Sequence, residues 1–554
     1  MGKLENSQRS RIAFGSCNSQ NLTQPLWDVL TTRNPTAFVW AGDAIYADHL
    51  LSSNSNWKTF PPQPVMSVAT PERLEAYYQI QTSNPAYRQF LEVSNATIFG
   101  TLDDHDMGQN NADETYEYRR ESALAFMTFI GETPGTHSIK NAHGEDTSTD
   151  SSAYYERARK GYGVYGVKLF DFSRMEEDYL VPENEAGIDP DVVDRVRERD
   201  ESSSSTTYSE RSVAVFVLDS RTHRNPWGEK SWQPNYSGDF LGERQWIWFE
   251  NALKQSNATV NIIVNGLQVH PYRYPDANVA EVWAQFPSAR QRLYDVILQS
   301  GAQAPLLVSG DVHMSQLMRK DCVLNHEKDN PNHKIRPLIE FTTSGMTHSW
   351  GTVFASTQKF HLTWRYYPMH VISKSIMSFA HFIFPMPDLM VSQQDAGVKF
   401  NGSDDLYSHH LFENGGAEGS KVGKQFSLEL NFGEIEFDWD QEAVLIRAIG
   451  KDPDAPPLLS ASYSFDELNG EVDIPGRTTT IALSERYGQH QMDGYVIGDG
   501  KYLCMNHRAP YSRHGVLFGY GAILSLAFSF FLIPQLILCL AIYKLFSRRA
   551  PRSK

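Results

Sequence analysis

The stretch that decides the fold is Ala37-Phe38-Val39-Trp40-Ala41-Gly42-Asp43, an apolar run that ends in a glycine and a carboxylate. Short runs of β-branched and aromatic residues bounded by Gly or Asp predict buried strands. The same pattern, an apolar run followed closely by a carboxylate, recurs in the stretches 96–106, 213–221 and 306–313. Because functional groups of an open α/β sheet gather beyond the carboxyl ends of its strands, these carboxylates are expected to converge. The sequence therefore predicts a site with several metal ions, as in a metallohydrolase.

The elements around this stretch indicate a layered α/β protein. A strand at 11–16 is followed by a helical pattern at 22–30 and then by the strand at 37–41. Further helices are predicted at 71–93, with a break at Asn84-Pro85, and at 241–256. Further strands are predicted at 260–264, 340–344, 426–437 and 443–448. The Ser-rich segment 175–212 is predicted to be a surface insertion, and the aromatic-rich segment 350–420 an elaboration near the site or a membrane.

The charge of the chain excludes one class of partner. The 554 residues carry a formal net charge of −16, from 50 basic and 66 acidic residues. Five of the basic residues lie in the last eleven positions, so the rest of the chain has 45 basic residues and a net charge of −21. No nucleic-acid-binding surface is expected on such an acidic protein. Its carboxylates are compatible with bound hard cations.

The four cysteines do not imply a disulfide framework. Cys539 lies in an apolar tail, which leaves Cys17, Cys322 and Cys504 for the globular part, where one pair at most could form.

The C-terminal residues predict a membrane anchor. Residues 515–543 form a stretch of 29 residues without a charge, and about 20 apolar residues suffice to span a bilayer as a helix. The basic tail 544–554 favours a cytoplasmic C-terminus, with the catalytic domain lumenal or extracellular. Five N-x-S/T sequons agree with that orientation: Asn21, Asn95, Asn235, Asn257 and Asn401. The polar N-terminus has no signal-peptide core, so either the start is truncated or the protein is tail-anchored and faces the cytosol.

Two motifs supply candidate ligands for hard metal ions. Asp43 could bridge two ions through its two oxygens, and Tyr46, one helical turn further on, could supply a phenolate. Asp103-Asp104-His105-Asp106 places three carboxylates beside an imidazole, and these carboxylates repel each other unless cations compensate them. Asn110 follows at a spacing that could return an amide oxygen to the same ion. Alone, the first motif would also fit a capped turn with a core tyrosine, and the second a solvated acidic turn.

Other candidate residues extend the set. Asp311 and His313 can face the same side of an extended segment and bind adjacent ions. Cys17, at the end of the first strand, would be a soft anionic ligand if a metal deprotonates it. Arg221 and Arg244 are candidates to hold a phosphate through a guanidinium fork, although either could be structural. Together these segments favour a metal site over coincidence.

The ordered segments resemble the PhoD-like alkaline phosphatase D family, a branch of the metallophosphoesterases similar in site design to purple acid phosphatases. The matching stretches run in family order from about residue 11 to residue 450: Phe14-Gly-Ser-Cys17, Trp40-Ala-Gly-Asp-Ala-Ile-Tyr46, Leu102-Asp-Asp-His-Asp-Met-Gly-Gln-Asn110, Leu218-Asp-Ser-Arg221, Leu241-Gly-Glu-Arg-Gln-Trp246, Asn265-Gly-Leu-Gln-Val269, Ser309-Gly-Asp-Val-His313 and Thr343-Ser-Gly-Met-Thr-His348. The resemblance implies a four-layer α/β/β/α sandwich over 11–450, to which the C-terminal transmembrane helix would be added. Residues 451–514 would form an extension and juxtamembrane linker.

The resemblance also implies a ligand set. An Fe(III)-type ion would be surrounded by Cys17, Asp43, Tyr46 and His313. Asp43 would bridge to a Ca(II)-type ion held by Asp104 and Asp311, with Asn110 as a further candidate, and other divalent metals could replace these ions. His105 stands where the superfamily places a residue that stabilises the pentacoordinate phosphorus or protonates the leaving group.

The expected function is metal-dependent hydrolysis of a phosphoester by a membrane-tethered enzyme, with Asp43, His105 and Arg221 in the catalytic machinery. Two alternatives remain open. One is a catalytically silent, Ca-binding membrane scaffold with the same fold, and the other is a phosphodiesterase that acts on lipid-linked or polymeric diesters. The substrate and the oligomeric state cannot be predicted from these motifs.

Overall fold

The computed structural model describes most of the chain between residues 10 and 505. The described ranges are 10–48, 50–56, 63–134, 137–140, 146–150, 152–173, 180–181, 210–228, 231, 233–271, 281–327, 330, 334–349, 426–427, 429–472 and 500–505, with isolated positions beyond them. Most of the two predicted insertions, 175–212 and 350–420, lies outside the described residues, as does nearly all of the predicted span 515–543.

One sheet has six strands and begins with the N-terminal strand. Its strands in spatial order are β18 (Leu459–Ser464), β17 (Ala443–Ile449), β16 (Phe432–Asp438), β1 (Arg11–Gly15), β2 (Ala37–Ala41) and β5 (Thr97–Thr101). The strands β1, β2 and β5 are parallel, and the other three continue the sheet in antiparallel fashion. The first strand–helix–strand unit is confirmed, with α1 at Leu26–Arg33.

The second sheet has nine strands, and its centre is parallel. Its spatial order is β15 (Phe426–Ser427), β13 (Ser315–Leu324), β14 (Arg336–Thr343), β12 (Pro305–Ser309), β11 (Val260–Asn265), β10 (Ser212–Leu218), β8 (Gly166–Asp171) and β9 (Leu180–Val181). The strand β19 (Tyr502–Met505) pairs with β13. The strands β10, β11, β12 and β14 run parallel, so their carboxyl ends share one edge.

The remaining elements among the described residues are helices and two hairpins. The other helices are α2 (Pro71–Thr82), α3 (Pro85–Ser94), α4 (Asp104–Met107), α5 (Arg119–Phe129), α6 (Ala153–Arg159), α7 (Gly242–Gln255), α8 (Pro287–Gln299) and α9 (Phe465–Asn469). Short 3₁₀ turns lie at Trp283–Gln285 and Asn325–Glu327. The hairpins pair β3 (Leu50–Asn56) with β4 (Gln63–Met66) and β6 (His137–Lys140) with β7 (Asp146–Asp150).

Alternating side chains of the parallel strands separate two apolar cores. Val215 and Val217 of β10 pack in the core that contains the first sheet, whereas Phe216 and Leu218 pack with the buried faces of α7 and α8. The first core also contains Trp27 of α1 and buried residues of α2, α3 and α5. Such alternation is expected of strands covered on both faces. These contacts are consistent with the expected order of helices, sheet, sheet and helices.

Several expectations need correction. The predicted strand 426–437 is two strands: β15 joins the second sheet and β16 the first, because Asn431 between them is anchored by hydrogen bonds to Gly345 and Ser344. The boundary expected at residue 450 cuts through the first sheet, since β18 pairs with β17. Cys504 of β19 forms a disulfide with Cys322 of β13, so part of the expected linker belongs to the second sheet.

No helix among the described residues is both long and apolar enough to cross a membrane. The span predicted at 515–543 therefore stays a prediction.

Candidate metal centre

The candidate site lies where the parallel strands of both sheets end. Cys17 follows β1, Asp43 follows β2 and Asp104 follows β5, while Asp311 follows β12 and Ser344 follows β14. The predicted convergence of strand-end residues is therefore seen in the described part of the chain. All these side chains are buried or nearly so.

The backbone at four of the predicted ligands is unusual. Cys17, Asp43, Asp311 and His313 have φ values of 56°, 51°, 68° and 54°, in the left-handed region that non-glycine residues seldom adopt. Each such residue costs of order 1–3 kcal/mol, and such strain clusters at functional sites. The tight turn before Asp43 also requires a glycine, because a Cβ at Gly42 would lie 2.4 Å from the Cβ of Asp103.

Asp43 is one of two residues, with Asp104, that two groups of possible metal ligands share. Its carboxylate lies within 4.8 Å of ligand atoms of Asp104 and His105 in one group. In the other group, the carboxylates of Asp43, Asp103, Asp104 and Asp311 all lie within 4.8 Å of one another. Both Asp43 and Asp104 therefore lie close enough to the other possible ligands to contribute to more than one ion.

The second oxygen of Asp43 faces the soft and phenolic donors. Cys17 Sγ lies 3.5 Å from Asp43 Oδ2, and the Tyr46 hydroxyl donates to the same oxygen at 3.3 Å. Cys17 Sγ also lies 2.9 Å from Ser344 Oγ. The backbone N–H of His313 donates to that Ser344 hydroxyl at 2.8 Å, so His313 is linked to Cys17 through Ser344. Cys17 and Tyr46 thus meet at one oxygen of Asp43, and the full ligand set expected around an Fe(III)-type ion stays a prediction.

The charges of this cluster are poorly compensated by protein groups. Burial, followed by nearby carboxylates, raises the pKa of Asp43 and Asp311 well above their usual range. Burial raises the pKa of Asp103 to about 6 despite the opposing effect of Arg221. Among the described residues, Asp43 Oδ1, Asp103 Oδ2 and Asp104 Oδ1 are buried without a hydrogen-bond partner. Buried carboxylate oxygens without donors are what hard cations require, so the residues fit a metal centre.

His105 is held by a carboxylate that sequence reasoning missed. Its Nδ1 lies 2.5 Å from Asp48 Oδ1, and Asp48 Oδ2 accepts the backbone N–H of Asn110 at 2.8 Å. The imidazole also lies against the ring of Tyr46, with 4.1 Å between ring centroids. Although burial lowers the pKa of His105, the carboxylates of Asp48, Asp104 and Asp43 raise it well above its usual value. Because Asp48 binds Nδ1, the opposite ring nitrogen, Nε2, is the one that this contact leaves for chemistry.

Asp106, the last carboxylate of the acidic motif, has a structural role. It accepts the backbone N–H groups of Ala44 and Ile45 at 3.2 and 3.1 Å and that of Asp103 at 3.1 Å. The Tyr78 hydroxyl donates to it at 3.1 Å. Asp106 therefore fixes the segment after Asp43 relative to the segment that carries Asp104 and His105.

The environment of Arg221 differs from the predicted one. Its guanidinium is fully buried and binds the carboxylates of Asp103 and Glu281, and its second terminal nitrogen lies 3.7 Å from Asp104 Oδ1. Two of its three nitrogens bind carboxylates, and the third, Nη2, has no hydrogen-bond partner among the described residues, so the catalytic role expected for Arg221 stays a prediction. Arg244, the other candidate, stacks over the ring of Tyr162 at 4.0 Å.

Asn110, a predicted ligand, and two residues that were not predicted as site residues, Asn111 and His348, also contact the site. Asn110 reaches the site through its backbone N–H, and the neighbouring Asn111 N–H donates to Asp104 Oδ2 at 2.6 Å. His348 Nε2 lies 3.0 Å from the Tyr46 hydroxyl, and its ring packs on His313 with 4.5 Å between centroids. The need of a site histidine for an orienting carboxylate could have pointed to Asp48, which closely follows Tyr46.

Comparison with known proteins found similarity to a protein family and to a solved structure. Residues 199–365 match the family model of the PhoD-like phosphatases, which supports a phosphoesterase-type function. A solved structure titled "Structure of PhoD" aligns with a TM-score of 0.47 and 14% identity, over 83% of this chain and 70% of that one. No curated protein sequence matches the chain.

Proposed function

We propose that this protein is a metal-dependent phosphoester hydrolase. The observation that carries the proposal is the buried cluster of Asp43, Asp103, Asp104 and Asp311, whose ligand oxygens all lie within 4.8 Å of one another. A bridging carboxylate between two ions is the arrangement used to displace a phosphoester oxygen in line. The match of residues 199–365 to the PhoD-like phosphatases supports the same chemistry.

The residues divide naturally between two ions. Cys17, Tyr46 and His313 would join Asp43 around an Fe(III)-type ion. Asp104 and Asp311 would join Asp43 around a Ca(II)-type ion, with Asn110 as a further candidate. When bound, such cations neutralise developing charge on the phosphoryl oxygens and lower the pKa of a water molecule.

His105 would act on the substrate itself. Asp48 Oδ1 lies 2.5 Å from Nδ1 of its imidazole, and the ring of Tyr46 packs against the imidazole. These two contacts fix the orientation of the ring and therefore the direction in which Nε2 points. An imidazolium held in this way can stabilise the pentacoordinate phosphorus or deliver a proton to the leaving oxygen. Because Arg221 is engaged by Asp103 and Glu281, the charge that faces the substrate would come from His105 and the bound cations.

The proposal can be tested on the full-length protein, purified in detergent. The measurements are its metal content and its rates of hydrolysis of an aryl phosphate and of the corresponding bis-aryl diester. Bound iron and calcium with turnover are expected, and Asp43→Asn should abolish turnover. Asp452→Asn is a matched control, because Asp452 accepts a backbone N–H of an exposed turn.

The possible outcomes separate the alternatives. Metal without turnover on either ester would favour the silent scaffold, and a strong preference for the diester would favour the phosphodiesterase. Near-normal activity of Asp43→Asn would contradict the site assignment. We also propose that residues 515–543 tether the enzyme to a membrane, with the catalytic domain lumenal or extracellular.

A further inference from the structure

The disulfide between Cys322 and Cys504 gives evidence about the compartment in which the chain folds. The two cysteines are directly opposite each other in the antiparallel pair of β13 and β19, and both are buried. Disulfides persist in secreted, lumenal and cell-surface proteins and are rare in the cytosol. The position of this pair within a sheet therefore fits a domain that matures in an oxidising lumen.

Two of the sequons lie on the surface at the ends of helices. Asn95 is exposed and is the C-cap of α3, where its φ of 51° places it in a left-handed turn. Asn257 is exposed in the loop between α7 and β11. Both precede the amino ends of strands, β5 and β11 respectively.

These positions lie at the edge of the sheets that is opposite the candidate metal centre. The metal centre gathers at the carboxyl ends of the parallel strands, whereas Asn95 and Asn257 lie before the amino ends of two of them. A bulky, hydrated group at either residue would project from the surface without covering the site.

The other sequons are less suitable. Asn21 is exposed but lies four positions after Cys17, beside the candidate site. Asn235 is only partly exposed, unlike Asn95 and Asn257. Asn401 lies outside the described residues.

We propose that Asn95 and Asn257 carry N-linked glycans. In the reaction, a bond forms between the side-chain amide nitrogen and C1 of an oligosaccharide donated by a lipid diphosphate. The C1–O bond to the lipid diphosphate breaks, the lipid diphosphate leaves with the electron pair, and the amide nitrogen loses one proton. The proposal does not depend on the phosphoesterase function.

The test uses the natural full-length protein, isolated from the cells that make it. Peptide N-glycosidase in ¹⁸O-water converts a glycosylated Asn to labelled Asp, and mass spectrometry then reads the peptides that contain Asn95 and Asn257. Label at both residues is expected. An unmodified peptide at either residue refutes the assignment of that residue, and modification of Asn21 alone refutes the proposal.

Variants of the chromosomal copy provide the controls. Asn95→Gly removes the acceptor and keeps the left-handed turn that glycine readily adopts. Asn257→Gln removes the other acceptor, and each variant should lose one discrete step in electrophoretic mobility. Thr259→Ser keeps both the sequon and the hydroxyl that donates to the Glu210 carbonyl, so its mobility should not change. Alkylation without reduction should leave Cys322 and Cys504 unlabelled; free thiols there would contradict the oxidising compartment.

Discussion

The variant Asp48→Asn is expected to impair catalysis without removing metal. It keeps the size of the side chain but replaces the carboxylate that lies 2.5 Å from His105 Nδ1 with a neutral amide. The carboxylates near His105, with Asp48 first among them, hold the pKa of the imidazole well above its usual value against the lowering effect of burial. Loss of the Asp48 charge therefore lowers the pKa of His105, so the protonated form is lost at a lower pH.

The size of the effect follows from the protonated fraction. If the pKa of His105 returns to about 6.5, only about 3% of the imidazole is protonated at about pH 8. This alone reduces proton delivery by roughly 30-fold. The neutral amide also accepts a weaker hydrogen bond from Nδ1–H than a carboxylate does, so the ring is less firmly positioned, and positioned acid catalysis is worth about 10² to 10⁴ in rate. We therefore expect kcat to fall by about 100-fold near pH 8 and the fall to be smaller at lower pH.

The assay is a pH profile of kcat for aryl phosphate hydrolysis, with metal content measured on the same samples. The alkaline limb of the profile should move to lower pH in Asp48→Asn and should stay in place in the Asp452→Asn control. A variant that keeps its metal and more than half of the wild-type kcat at every pH would refute the role assigned to Asp48. Lost metal would show instead that Asp48 stabilises the ligand set.

Three further predictions concern stability. Arg221→Met leaves the buried carboxylate of Asp103 without its cationic partner, so the free energy of unfolding should fall by about 3–5 kcal/mol. Chemical denaturation measures this loss, and an unchanged denaturation midpoint would contradict the ion pair. Burial raises the pKa of Glu434, but the Arg33 guanidinium, which binds it at 2.5 Å, lowers it below its usual 4.5. Ionised Glu434 therefore stabilises the folded state at neutral pH, and this stabilisation is lost as the pH falls below 4.5 through the pKa of Glu434. The variant Glu434→Gln should reduce the acid sensitivity of the melting temperature. Cys504→Ser opens a loop with a sequence separation of 182 residues, and the chain-entropy model predicts a loss of about 5 kcal/mol; an unchanged melting temperature would show that the disulfide does not form.

The strands and the convergence of ligands could be predicted because their signals are local. The apolar run at 37–41 needs no distant information to predict β2, and its end fixes the place of Asp43. Parallel strands share an edge, so the gathering of Asp43, Asp104 and Asp311 follows from the topology once the strands are assigned. The break at Asn84-Pro85 was equally local, because Asn84 caps α3 and proline begins it.

The rest of the site depends on contacts between residues far apart in the chain. Nothing near Arg221 indicates that its guanidinium binds Glu281, sixty positions later, rather than a substrate. The division of the segment 426–437 between two sheets likewise depends on Asn431 reaching the loop after β14. Polar side chains of this kind have no periodicity, so the identity of their partners appears only in the folded structure.

Two features of the site have a cost in folding free energy that an ordinary apolar core does not have. The first is the left-handed backbone at Cys17, Asp43, Asp311 and His313, which opposes folding. The second is the burial and mutual repulsion of the carboxylates, which raise the pKa of Asp43 and of Asp311 and also oppose folding. Arg221 offsets part of the repulsion through Asp103, but it leaves one oxygen of Asp43, of Asp103 and of Asp104 without a donor in the described structure. Cations bound by these oxygens would offset both costs, so metal binding and the stability of this edge should be coupled. That coupling is the physical reason to regard the strand-end carboxylates as a metal centre rather than as a chance acidic cluster.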